Sequence, residues 1–341
     1  MAGVPRHRVL NALRIVLALL VTAAVTVAVA RNWAEVSADI RKISPGSLLL
    51  AAGLVSLAPV LTMLGWRRIL ADLGSPLHVA PAGGIFFVGQ LGKYVPGSVW
   101  SIVAQAEMGI RLHIPRRRSA VVGLIGLGIA VICGLAVGLP ALPLLLGRDD
   151  TRAIAWAVVL AVPLFAVLLW PPLLNWGIAL GLRLLHREPL EHSLSGRAVL
   201  LTVVYFVGAW LASGAHAWVL VTAIGESQVS AGRLALVSVC GFALSSSLAM
   251  FTFVLPAGVG VREGLFVLLL APATSPSAAT AVVVISRFLT VVSDVLFAAG
   301  GWLWARSHHL LTSRAERRHD GVLVDEDVET ESASGHSPSG G

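Results

Sequence analysis

The sequence predicts an all-α, polytopic transmembrane helical bundle, and three observations carry that prediction. Of the 341 residues, 56% are hydrophobic and only 13% charged, with a mean hydropathy of +0.84; an ordinary soluble domain carries about 25% charged residues. Runs of nearly uncharged residues, each long enough for a membrane-crossing helix, follow one another along the chain. The runs are continuously apolar, whereas the strands of a transmembrane β-barrel alternate. A water-soluble enzyme, a coiled coil and a disordered regulator are excluded together.

In chain order, seven runs read as strong spans: Leu10–Ala30, Gly46–Trp66, Ser119–Leu139, Arg152–Trp170, Arg197–Ile224, Gly232–Val254 and Ser277–Arg306. Arg6 and Arg8 precede the first, and its ending Ala28-Val29-Ala30 resembles a signal-peptidase site. The run is longer than a signal h-region of about 7–15 residues, so it is read as an uncleaved span behind a cytoplasmic N-terminus, residues 1–9. Pro171–Leu185, bounded by Arg183, His186 and Arg187, is short and expected along the interface. Pro189–Gly196 is a polar cytoplasmic loop. Residues 10–306 form one transmembrane domain, and 307–341 a cytoplasmic acidic tail expected to be disordered. Thr312–Gly341 holds 3 basic and 7 acidic residues, which leaves the rest of the chain at +11.

Two segments fit no simple span. Gly83–Ile110 contains Gly89-Gln-Leu-Gly-Lys-Tyr-Val-Pro-Gly-Ser-Val-Trp100, and Leu255–Ala271 contains Pro256-Ala-Gly-Val-Gly-Val-Arg-Glu-Gly264. Both are apolar enough to enter the bilayer, yet Gly and Pro interrupt them and both hold charges. Proline removes a backbone donor and blocks the preceding turn. In hydrocarbon such broken backbone survives only inside the protein or along a wet cavity. With Gly83–Ile110 as a re-entrant hairpin and Leu255–Ala271 as part of a crossing, sixteen basic residues fall on one side and six on the other. The richer side, which includes Arg116-Arg117-Arg118, is assigned to the cytoplasm. Lys93, Arg262 and Arg287 remain at membrane depth. About eight crossings with both termini inside result. The two broken segments also look like a weak internal repeat, an arrangement in which transporters place binding sites at discontinuous helices.

Ionisable residues at membrane depth are costly and are functional candidates. Lys93 either meets a lipid phosphate or, alternatively, snorkels or neutralises a buried carboxylate. Arg262 offers a planar fork for phosphate, with a carboxylate to hold it, or else Arg262 and Glu263 are structural ions fixing the broken helix. Adjacent residues do not face one another on a helix, so these two are expected to find different partners. Arg287 and Asp294 lie seven apart on one face; each is expected to pair with Glu263, Arg262 or Lys93 rather than with the other. Glu107 and Gln105 are assigned to the interface and His216 to packing. Ser245-Ser246-Ser247 reads as helix packing or a polar path, with packing preferred, and Gly123, Gly126, Gly128, Gly134 and Gly138 as close helix contacts. Trp66, Trp100, Trp210, Trp218, Trp302 and Trp304 mostly read as interface anchors. Cys133 and Cys240 read as small core residues. No nucleotide, metal or cofactor motif is present, and no catalytic constellation emerges. The basic residues sit in short loops, which fits anionic lipid headgroups and not nucleic acid. Arginine, 23 of the 25 basic residues, with abundant Ala and Gly, fits a GC-rich bacterial genome.

The Gly-Lys-Tyr-Val-Pro-Gly-Ser-Val-Trp stretch, Gly109-Ile110 and Pro115-Arg116-Arg117, together with Pro256–Gly264 and Arg287, resemble the membrane region of lysylphosphatidylglycerol synthases. That region forms a broad family of flippase-like integral membrane proteins, and the likeness covers roughly residues 10–306. In full-length synthases it is implicated in moving an aminoacylated phospholipid between leaflets, while a soluble C-terminal domain makes that lipid. Here an acidic tail stands in that place, so the resemblance implies a stand-alone translocator rather than an enzyme. Candidate cargoes are phospholipids, modified phospholipids and polyprenyl-phosphate-linked sugars. The expected site comprises Lys93, Tyr94, Pro96, Gly97, Pro256, Gly258, Gly260, Arg262, Glu263, Arg287 and Asp294, in a bacterial plasma membrane. The alternatives are an accessory subunit of a lipid- or glycan-modifying membrane enzyme and, behind it, an enzyme acting on an isoprenoid lipid.

Overall fold

A computed structural model describes residues 33–95, 99–145, 151–184, 186–251, 258 and 260–308. The run Leu10–Ala30, most of the acidic tail, and the site candidates Pro96, Gly97 and Pro256 lie outside the described residues. The described residues are helical and contain no strand. In order they form α1 (Trp33–Lys42), α2 (Pro45–Asp72), α3 (Val79–Gln90) continued by a 3-10 turn (Leu91–Tyr94), α4 (Trp100–Ile110), α5 (Arg116–Gly138), α6 (Thr151–Leu168), α7 (Pro171–Leu184), α8 (Gly196–Ile224), α9 (Ala231–Ala249), α10 (Val261–Leu270) and α11 (Pro276–Ser307). Short turns at Leu139–Ala141 and Leu142–Leu145 follow α5.

Five of these helices, α2, α5 with its continuation, α8, α9 and α11, are long and apolar enough to cross a membrane. The end of α6 and α7 make a sixth crossing if taken as one span bent by 54°. The all-α polytopic architecture is therefore as expected. Along α11, Phe288, Val292, Val295, Leu296 and Leu303 are exposed while Ser286, Leu289, Ser293 and Asp294 are buried. That one-sided pattern is a lipid-facing stripe opposite a protein-facing one.

Local signals set the helix limits. Ser44 caps α2 by accepting from Ser47 N at 3.1 Å, with Pro45 in the first turn, where its missing N–H costs nothing. Ser195 caps α8 by accepting from Ala198 N at 3.2 Å, and its own N–H donates to Asp72 at the end of α2 at 2.7 Å. Lipid offers no hydrophobic drive for helices to associate, so close approach of backbones does the packing. A Cβ on Gly138 would sit 2.5 Å from Leu244 N of α9, and one on Gly134 would meet the Trp210 ring of α8 at 2.6 Å. Gly123 packs against Ile102 in the same way. Gly128 faces open space, so it is not part of the packing stripe the sequence suggested.

Contacts divide the bundle into two ends. At one, Arg118 Nη1 donates to Gly74 O at 3.0 Å, Arg67 Nε to Leu77 O at 2.6 Å, and Asn175 of α7 exchanges hydrogen bonds with Leu194 before α8. At the other, Gln228 N donates to Ala273 O at 3.0 Å, and Glu226 joins Lys42 of α1 (2.5 Å) to Ser275, the N-cap of α11 (2.7 Å). The first end holds Arg67, Arg68, Arg111, Arg116, Arg117, Arg118, Arg183, Arg187, Arg197 and Arg306; the second holds Arg41, Lys42, Arg152 and Arg233. The grouping of the basic residues read from sequence thus holds for the described chain.

The Lys42–Glu226 tie has a defined pH window. A hydrogen bond from Lys42 holds the Glu226 carboxyl below the usual range, and hydrogen bonds to Asp39 and Glu226 raise the Lys42 ammonium. The depressed carboxyl stabilises above its unfolded pKa of about 4.3, and this is lost as pH falls through the folded value. The raised ammonium stabilises below about 10.4, and this is lost as pH rises through the folded value. Protection of the α1 amides, exchange measured relative to the unfolded-chain rate at the same pH, is therefore expected to be greatest between those limits and to fall at neutral pH in Glu226→Gln.

The two broken segments form two hairpins. α3 enters from the basic end, and α4 returns to it at Ile110. The legs touch at Gly92, where a Cβ would lie 2.5 Å from Ser101 N. The re-entrant hairpin is therefore present, packed on α11 through Gly84 against Trp304 and Phe87 stacked on Phe297 at 4.7 Å. α10 is ten residues, about 15 Å, or half a hydrocarbon core of about 30 Å. It ends beside Ala273 at the end where α9 begins, and the last turn of α9 sits in the interior beside Gly258. α9 and α10 thus make a second hairpin from the opposite end; α10, at ten residues, is too short to cross, where the sequence made Leu255–Ala271 part of a crossing. α11 starts at the same end under either arrangement.

Candidate functional site

Between two apolar cores, one around Trp66, Ile69, Leu70 and Phe206 and the other around Leu220, Phe266, Leu270 and Val282, the hairpins meet at a cavity of about 390 Å³. This is within the range of about 300–1,000 Å³ typical of small-ligand sites. Six of the expected site residues line it: Lys93, Tyr94, Gly258, Arg262, Arg287 and Asp294. α2 contributes Val55 and Pro59 to the wall. A proline inside a helix leaves the carbonyl four residues earlier without its helical donor, so the Val55 carbonyl adds polarity to an otherwise apolar helix.

On the first hairpin, the tightened turn Leu91–Tyr94 carries Lys93 and Tyr94 onto α11. Lys93 Nζ lies 2.7 Å from Asp294 Oδ2, and Tyr94 OH donates to the same oxygen at 2.6 Å. On the second, Gly258 and Gly260 adopt φ of +63° and +87°, backbone that residues with a Cβ rarely enter. The turn they make opens α10 in the interior. Glu263, at the third helical position, accepts from Gly260 N at 2.8 Å through Oε2, half of a capping box in which a carboxylate also complements the positive helix terminus. Its Oε1 lies 3.3 Å from Arg262 Nη2 and 3.5 Å from Arg287 Nη1. α11 is thus a shared spine: Asp294 holds one hairpin and Arg287 the other, without pairing with each other. The Arg262 guanidinium also lies over the Phe242 ring, 5.6 Å from its centroid, and Arg287 lies 5.9 Å from that of Tyr94.

The cross-bundle partners expected for Arg287 and Asp294 are present. Arg262 and Glu263, expected to diverge, instead contact each other. The side chain of Glu263 curls back over the helix start to cap Gly260, which brings its other oxygen to the preceding residue. Glu263 and Gly260 do not line the cavity; they hold the residues that do. Glu107 is exposed and bridges to Arg116 at 2.7 Å, as an interfacial residue would. Gln105 is buried against Gly89 and lines the cavity, because the hairpin turns that face of α4 inward. His216 is fully buried, bonded to Ser213 O and, at 2.8 Å, to Ser286 Oγ, consistent with packing.

The tryptophan assignment needs correction at two positions. Trp66 and Trp210 face the cavity, and Trp210 Nε1 donates to Ala130 O at 2.8 Å. Trp100 and Trp302 are exposed, as anchors are. The serine triplet divides by helix face: Ser245 bonds back to Phe242 O at 3.1 Å, while Ser246 lines the cavity. Cys133 is buried and Cys240 half-buried, both free. Reading the sequence for charge missed Gln90, Thr290 and Ser293, placed Gln105 at the interface, and preferred packing over a polar path for Ser246, all of which line the cavity. Polar residues within apolar helices were the available signal. Among the described residues, no three His, Cys, Asp or Glu side chains cluster so as to hold a metal.

Fold and site together define a polytopic helical membrane protein whose two broken hairpins enclose a charged cavity at membrane depth. The chain belongs to the family described as lysylphosphatidylglycerol synthase TM region, which it matches over residues 12–298. No curated protein matches it. It is therefore a membrane protein of a family linked by name to lipid modification.

Proposed function

We propose that the protein is a lipid translocator that moves a phospholipid, modified phospholipid or polyprenyl-phosphate-linked lipid between leaflets of a bacterial plasma membrane. The observation that carries this reading is the cavity where hairpins entered from opposite ends meet, lined by three cations and by Asp294. An isolated charge at that depth is expensive, and a path for polar headgroups is the function that rewards it. Acyl chains stay in the bilayer while the headgroup occupies the cavity. The arginine-rich end faces the cytoplasm by the positive-inside rule, and both termini lie there. The partners are membrane lipids with anionic headgroups, not nucleic acid. The protein's own residues bind and release; no bond-making step is assigned to them. Without a nucleotide-binding motif, movement runs down a gradient or is coupled to ions or a partner.

Leaflet-resolved labelling of lipid in proteoliposomes tests this. Lys93→Ala and Arg262→Ala are each expected to slow movement by about tenfold or more, the equivalent of about 1.4 kcal/mol. Folded variants that move lipid at the unaltered rate would count against translocation. Stable co-purification of such variants with a lipid-modifying enzyme would support the accessory role instead.

A further inference from the structure

The cations and carboxylates at the cavity are not matched one to one. Lys93 and Asp294 form a pair, with Tyr94 on the same carboxylate oxygen. Glu263 serves two guanidiniums, Arg262 and Arg287, and spends its other oxygen on the Gly260 N–H. Two arginines therefore share one negative charge, and the five groups together carry +1. The wall is incomplete in a second respect. Ser246 Oγ, Ser293 Oγ and Trp66 Nε1 belong to buried residues of the cavity wall and have no hydrogen-bond partner. Buried polar groups left unpaired are destabilising, so such a wall is completed by a ligand that exchanges hydrogen bonds with it.

We infer, building on the carrier reading, that the cavity takes a headgroup with one phosphodiester charge and an otherwise uncharged, hydroxyl-bearing remainder. The phosphate sits on the forks of Arg262 and Arg287, whose planar donors suit bidentate contact. Lys93 is committed to Asp294. The hydroxyls meet Ser246, Ser293 and the Asp294 carboxylate, all on the cavity wall. A single phosphodiester brings the site to neutrality. A zwitterionic headgroup leaves the +1 uncompensated, and a phosphomonoester, at about −1.5 to −2, overshoots it.

The test uses the full-length protein in nanodiscs holding equimolar phosphatidylglycerol, phosphatidylethanolamine and phosphatidic acid, with retained lipid read by native mass spectrometry. Phosphatidylglycerol is expected to be enriched about tenfold over each of the others. Equal retention of phosphatidylethanolamine, or dominance of phosphatidic acid, overturns the inference. Displacement of the retained lipid by millimolar inorganic phosphate also overturns it, in favour of a free-anion site; resistance supports a lipid headgroup. Charge variants supply a reversal that misfolding cannot imitate. Arg287→Gln takes the site to zero and is expected to shift preference to phosphatidylethanolamine, whereas Asp294→Asn takes it to +2 and shifts preference to phosphatidic acid. Unaltered preference in both variants sinks the inference, and if neither variant folds the wild-type ranking alone decides it. Selective retention by a protein that moves no lipid defeats the carrier reading and leaves the headgroup assignment standing. Translocation with no headgroup ranking does the reverse.

Discussion

Glu263→Ala is expected to destabilise the detergent-solubilised protein by about 3–5 kcal/mol, the scale for removing one partner of a buried ion cluster. Three effects coincide at this side chain. Arg262 and Arg287 lose their common counter-ion, whose Oε1 lies 3.3 and 3.5 Å from them. The Gly260 N–H loses its acceptor at the start of α10. The second hairpin loses its charged link to α11. Thermal unfolding followed by tryptophan fluorescence measures the change. The double substitution Glu263→Ala with Arg287→Ala is expected to recover part of the loss, because it removes one uncompensated cation; coupling of about 0.5–3 kcal/mol between neighbours is the usual range. A purely additive cycle would show that Glu263 and Arg287 are not a functional pair.

Gly92→Ala is expected to prise the first hairpin apart. The added Cβ would fall 2.5 Å from Ser101 N and 2.6 Å from Trp100 C, both backbone atoms that no rotamer change removes. Overpacking of this kind costs about 1–3 kcal/mol. The larger effect is on function. Lys93 is the next residue, so separating the legs draws its ammonium away from Asp294, at present 2.7 Å off. Lipid movement in proteoliposomes is expected to fall by about tenfold or more. Gly53→Ala in α2 is the control. Nothing lies within 4 Å of its Cβ position, and replacing glycine in a helix interior by alanine stabilises by about 0.5–1 kcal/mol. Equal behaviour of the two alanines would refute the close-contact account of Gly92.

The first hairpin was legible because its signals are local. Gly and Pro interrupt an apolar segment, a lone lysine sits at the break, and Arg116-Arg117-Arg118 forces the returning leg back to the basic end. The second hairpin carries similar punctuation, yet its apolar length from Gly232 to Ala271 allows either two crossings or a partial entry and return, and hydropathy does not distinguish them. The depth at which α10 opens does: Gly258 and Ala249 meet at the cavity, and α10 runs only ten residues from there. Trp66, Trp210 and Gln105 were misplaced for a related reason: position along a span says how deep a residue lies, not which neighbour its helix turns it toward.

The amino-acid sequence by itself determined that this chain is a bundle of membrane helices, that two of its apolar segments are broken, and that Lys93, Arg262, Glu263, Arg287 and Asp294 lie at a depth where charge is costly. Those properties follow from composition, from run length and from the conformational limits of Gly and Pro, all of which act within a few residues. Tertiary structure alone decided that Lys93 pairs with Asp294 across about 200 residues of chain, that Glu263 is shared by two arginines, and that Ser246 and Ser293 join them around one cavity. Ion pairing depends on separation in space, and that separation is set by how glycine-lined helices such as α5 let their neighbours approach, which no local pattern encodes.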